Sequence, residues 1–121
     1  MNKPITKTVR IEVSLPLSPD KTRNPIDDPN NGDGVWTYVL TAACRSGLTV
    51  LRSQSHRFPG GGITGTAILA ESSLALHTWP EMDFALVEAT TCGSEEATER
   101  FVDAIVESAS SATVYRSEGG R

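Results

Sequence analysis

Residues 70–81, "AESSLALHTWPE", open with a carboxylate and two hydroxyls, then carry a histidine and a tryptophan and end on Pro80-Glu81, between two apolar segments. Side chains of these types can serve as nucleophile, acid or base. Spacing alone does not make them do so. Ser72, flanked by Glu71 and Ser73, also suits a turn or a sheet edge. His77 also suits a hydrogen-bonded structural role, and Trp79 and Phe58 read first as core aromatics. Cys92 is more pointed, because it lies where a strand gives way to a helix. The unpaired N–H groups and dipole of a helix start stabilise a thiolate. A buried, inert thiol fits the same position. No G-x-S-x-G elbow, P-loop or H-E-x-x-H run is present. "PGGGITG" is glycine-rich, but it opens a strand rather than the helix a dinucleotide needs.

The elements that must hold these residues follow from periodicity. In "TVRIEVSL", Val9, Ile11, Val13 and Leu15 share one side, the mark of a half-buried strand. Residues 16–34 are dense in Pro, Asn, Asp and Gly and read as a long loop. "VWTYVLTAACRSG" reads as a helix with Trp36, Val39, Leu40, Ala43 and Cys44 on its apolar face. Asp33 suits its cap and Gly47 its stop. "LTVLRSQSHRF", "ITGTAILA", "LALHTW" and "DFALVEATT" read as strands, with a turn at "PGGG". Ser94 caps a second helix whose buried face is Ala97, Phe101, Ala104 and Ile105. "ATVYR" is a last strand, and "SEGGR" a tail. This order predicts an α+β fold: a two-layer sandwich, an antiparallel sheet with two helices on one face. Its other face stays partly uncovered, which a second copy would close.

Alternation raises a question about Ser72 and His77. Their odd separation puts them on opposite faces of a straight strand, about 16 Å apart. Either the chain bends or bulges at residues 71–73, or His77 serves the Ser72 of another subunit.

The 121 residues make one domain by size. A net charge of −4 argues against nucleic acid and leaves a cationic small molecule open. "MNKPITKTVRIEV" lacks the apolar stretch of a signal peptide, and no run is long enough to span a membrane. Two cysteines and two histidines, far apart, predict no metal site and no disulfide framework, with the cytoplasm as the expected compartment.

The joint pattern "HRFPGGGITGTAILAESSLALHTWPEMDFALVEATTCG", residues 56–93, resembles the core of the small prokaryotic, pyruvoyl-dependent S-adenosylmethionine decarboxylases. That family carries Glu-Ser-His, then His-Thr-Trp/Tyr-Pro-Glu, then Thr-Cys-Gly at these separations. The resemblance implies a self-cleaving proenzyme. The Ser72 hydroxyl would attack the Glu71 carbonyl, and elimination would leave residues 1–71 as a β chain and 72–121 as an α chain. Residue 72 would become a pyruvoyl group, a built-in electron sink that takes the substrate amine as a Schiff base. The resemblance implies proton transfer by His77 during processing, help from Thr64, which stands for the family's serine, and reprotonation by Cys92. It implies adenine stacking on Phe58, with Trp79 and Glu81 beside the substrate. The expected partners are a small cationic amino-acid-type substrate in polyamine biosynthesis and a second processed αβ protomer, as a homodimer.

The chain departs from the family at Ser73, where a histidine is usual, at Thr90, where phenylalanine is common, and in its amino-terminal segment. The same chemistry on a simpler basic amino acid, ornithine or arginine, is the alternative reading. An unprocessed, non-enzymatic homologue is a further one, against which Ser72, His77 and Cys92 occurring together argues.

Overall fold

The computed structural model describes residues 6–15, 17, 32–70, 72–91 and 95–119. Its chain order is β1 (Thr6–Ser14), α1 (Gly32–Arg45), β2 (Val50–Arg57), β3 (Ile63–Leu69), β4 (Ser72–Trp79), β5 (Phe84–Thr91), α2 (Glu95–Ser108) and β6 (Ala112–Gly119). The strands form one sheet in the order β2-β3-β4-β5-β1-β6, and every neighbouring pair is antiparallel. This is the expected antiparallel α+β sandwich.

Alternation along the central strands builds the core. Val9, Ile11 and Val13 of β1, Leu74 and Leu76 of β4, and Ala85, Val87 and Ala89 of β5 are buried on one side. The helices cover that side, α1 against β2–β4 and α2 against β1. Val39 and Ala43 of α1 and Phe101 and Ile105 of α2 are fully buried. The Val39, Phe101 and Ile105 side chains each contribute about 1.5–3 kcal/mol by burial. Gly65 lets α1 sit close to the sheet. A Cβ there would come within 2.5–2.9 Å of the Trp36 ring.

Helix α1 stops as expected at Gly47, whose φ of 100° favours glycine. Gly47 N–H donates to the Cys44 carbonyl and Leu48 N–H to the Ala43 carbonyl, both at 3.1 Å. Arg100 of α2 donates to the Ser46 carbonyl at 3.1 Å and ties the two helices together.

Several expectations are corrected. Cys44 is exposed rather than on the apolar face of α1, whereas Leu40 and Ala104 are half-buried and pack against the core. Val35 and Ala42 take the place in α1, and Val102 in α2. A stripe wide enough to pack on a sheet is rotated from the one the spacing suggested. Asp33 lies inside α1 rather than ahead of it. The "SEGGR" tail is strand as far as Gly119, paired with Thr6. Ladder hydrogen bonds to β1 carry it, whatever its low strand propensity. Ser94 and nearly all of the 16–34 loop lie outside the described residues.

Candidate functional site

Three strands bring the open-face candidates together. Thr64 of β3 pairs in register with His77 of β4, and Thr64 Oγ1 lies 3.1 Å from His77 Nδ1. When the hydroxyl donates, the neutral imidazole carries its proton on Nε2. Two residues along, Trp79 shares the face of His77, with ring centroids 6.2 Å apart. Trp79 also packs on its cross-strand partner Phe84 at 5.6 Å. Phe58, just past β2, meets the His56 ring edge-on at 4.7 Å.

The β2–β3 turn shapes one wall. Phe58 N–H donates to the Gly62 carbonyl at 2.8 Å, and Gly60 and Gly61 have φ of 98° and 99°, which side chains rarely adopt. The Thr78 hydroxyl, buried behind this wall, accepts from Ile63 N–H at 2.9 Å. The 3-10 turn Pro80–Met82 closes the end of β4, with Asp83 in the left-handed region. The resulting cavity of about 380 Å³ is lined by Phe58, Thr64, His77, Trp79 and Glu81, among others. Phe58 and Trp79 are 46% and 38% exposed, so neither is the core aromatic that their type suggested. Both offer ring faces to a ligand, and the Glu81 carboxylate suits a cation beside them.

Ser72 is elsewhere. It opens β4 and pairs with Thr91 of β5, in a register that runs unbroken to Trp79 and Phe84. The bend or bulge considered for residues 71–73 is therefore not present at Ser72 and Ser73, and Glu71 lies outside the described residues. Ser72 falls on the side of Leu74 and Leu76, which face the helices, and His77 on the other side. The two stand on opposite faces and about 16 Å apart along the strand. Glu71 and Cys92 lie outside the described residues. Among the described residues, no group of three or more His, Cys, Asp or Glu side chains is placed to hold a metal ion. No helix among them is long and apolar enough to cross a membrane.

The sequence reading missed Thr78 and Phe84. A cross-strand pair such as Trp79–Phe84 depends on register, which single-strand patterning does not carry.

The fold and this face define an α+β sandwich protein with an aromatic, partly polar pocket on the sheet face opposite the helices. A family model described as S-adenosylmethionine decarboxylase matches residues 26–121, and the chain belongs to that family. A Prochlorococcus marinus protein named S-adenosylmethionine decarboxylase proenzyme is 48% identical over 64 residues, which cover 53% of this chain and 51% of that protein. A Methanococcus aeolicus protein of the same name is 37% identical over 76 residues, covering 63% of this chain and 65% of that one. The chain thus spans about half the length of the first of these relatives and just under two thirds of the second. The adenosylmethionine decarboxylase of Aquifex aeolicus has the same fold, with a TM-score of 0.76, 24% identity, and coverage of 98% of this chain and 93% of that one.

Proposed function

We propose that this protein is a self-processing, pyruvoyl-dependent decarboxylase acting on S-adenosylmethionine, in the cytoplasm and in the service of polyamine synthesis. The observation that carries the reading is the Thr64–His77 hydrogen bond inside the pocket lined by Phe58, Trp79 and Glu81.

Ser72 is the residue that would yield the pyruvoyl group, and it is the first residue of β4. Its hydroxyl attacks the Glu71 carbonyl to form an ester, β-elimination frees chain 1–71 as a carboxylate, and water displaces the nitrogen of residue 72 as ammonia to leave chain 72–121. The pyruvoyl group supplies the electron sink for loss of carbon dioxide. His77, held by Thr64, moves the proton during cleavage. Cys92 donates the proton to the substrate carbon afterwards. The Phe58 and Trp79 rings receive the adenine and the sulfonium, and Glu81 adds a negative charge beside the cation. A cationic substrate also suits the acidic chain, whose net charge is −4.

Ser72 and His77 on opposite faces of one strand support a site built from two copies. One copy provides Ser72 and Cys92. The open face of the other provides Thr64, His77 and the aromatic pocket. A homodimer of processed protomers meets this need.

Intact mass of the purified protein tests the processing. Two chains divided at residues 71 and 72 are expected, and Ser72→Ala should remain whole. Carbon dioxide release from carboxyl-labelled S-adenosylmethionine, ornithine and arginine then tests the substrate. Release from ornithine or arginine alone would overturn the substrate while keeping the chemistry. A wild-type chain that stays uncut would overturn both.

A further inference from the structure

The helix side of the sheet holds a second set of hydroxyls beside Ser72. Thr91, the last residue of β5, is its register partner. Residues directly opposite in an antiparallel pair project on the same face, with Cβ atoms about 5 Å apart. Thr91 continues the helix-facing row of Ala85, Val87 and Ala89, and is only 3% exposed. Valine has the same shape and would pack there without a polar atom. The Thr91 hydroxyl instead lies 3.5 Å from that of Thr98, in the first turn of α2 and also 3% exposed. Buried hydroxyls need partners, and these two are placed to orient each other.

We propose that Thr91, oriented by Thr98, is a positioning residue that holds the Ser72 side chain for chain cleavage. This rests on reading Glu71–Ser72 as the bond that is cut. In that step Ser72 Oγ bonds to the Glu71 carbonyl carbon. The bond from that carbon to the Ser72 nitrogen breaks, and the hydroxyl proton ends on the nitrogen. This rearrangement to an ester conserves every atom and needs no co-reactant, and β-elimination, with loss of the residue-72 Cα proton and departure of the Glu71 carboxylate, then parts the chains. It does need one particular Ser72 rotamer among three staggered ones. A hydrogen bond from Thr91, its register partner, would select it. The helix layer then shares in processing, separately from the Thr64–His77 pair on the open face.

The test follows the rate at which newly made full-length chain splits, by denaturing gel and intact mass. Thr91→Val should split about tenfold more slowly than wild type, the loss expected for one hydrogen bond. Thr91→Ser should restore most of the rate. Thr98→Val should slow it about threefold, and it replaces Thr91→Val if that variant melts below the assay temperature. Decarboxylation per processed chain should stay near wild type in all of them. If wild type splits and Thr91→Val, or its replacement, keeps pace, the proposal is overturned and the proposed function stands. If Thr91→Ser is as slow as Thr91→Val, the methyl packing matters and the hydroxyl role is overturned. A wild-type chain that never splits overturns the reading beneath the proposal.

Discussion

His77 takes its ring orientation from Thr64 at 3.1 Å, across a register that aligns the two residues. Thr64→Val keeps the side-chain shape and removes the hydroxyl. Chain cleavage should slow about tenfold, while Thr64→Ser should cleave at least as fast as wild type, read from the time course of the two fragments. In the proposed mechanism Cys92 acts at a later step. Cys92→Ala should cleave normally yet lose roughly 10²-fold or more in decarboxylation, measured as carbon dioxide released per processed chain. The motif run made both residues candidates. Their relation to Ser72 was open, because alternation said only that Ser72 and His77 diverge. The unbroken β4–β5 register shows that they do.

Among the elements, α1 is pinned to the sheet through Trp36 and Gly65. Gly65→Ala would force a methyl into the indole ring, at contacts of 2.5–2.9 Å. It should cost about 1–3 kcal/mol and lower the melting temperature measurably. Because β3 also carries Thr64, cleavage should slow in the same variant. At the far side of the sheet, β1 and α2 are joined by the Lys7–Glu95 pair at 2.7 Å. The hydrogen bond from Lys7, and then its charge, hold the Glu95 carboxyl below its ordinary 4.5. The same bond raises Lys7 above 10.5. The stabilisation from Glu95 is therefore present above pH 4.5 and is lost as pH falls through the lowered value. That from Lys7 is present below pH 10.5 and is lost as pH rises through the raised one. The melting difference between wild type and Glu95→Gln should be level across that window and shrink beyond both ends. It should be small, because the pair is exposed. Strand alternation was plain in the sequence. The helix faces were read less well, since Cys44 has suitable spacing but lies outside the width of the contact.

For the whole molecule, the open face decides the matter. Ile68 is 56% exposed there, and Arg10 lies 4.9 Å over the Tyr115 ring on neighbouring β1 and β6. In the proposed dimer, Ile68→Glu should give a monomer by sedimentation and an uncut chain. Neither Ser72→Ala nor His77→Ala should cleave alone. Co-expressed, they should give cleaved His77→Ala chains, because in mixed dimers the Ser72 of that chain meets the intact His77 of the other copy. No cleavage in the mixture would place His77 and Ser72 in one protomer.

The sequence by itself determined the strand and helix order, the polar run at Glu71–His77, and the joint motif that marks the family. Those properties are local: they depend on residue type and on spacing along one chain. The tertiary structure alone decided that Thr64 meets His77, that Phe58 and Trp79 line a pocket instead of a core, and that Ser72 faces the helices beside Thr91. These depend on strand register and on which face a layer covers. Once β4 is paired without a bulge, period-2 geometry sets Ser72 and His77 on opposite sides of the sheet.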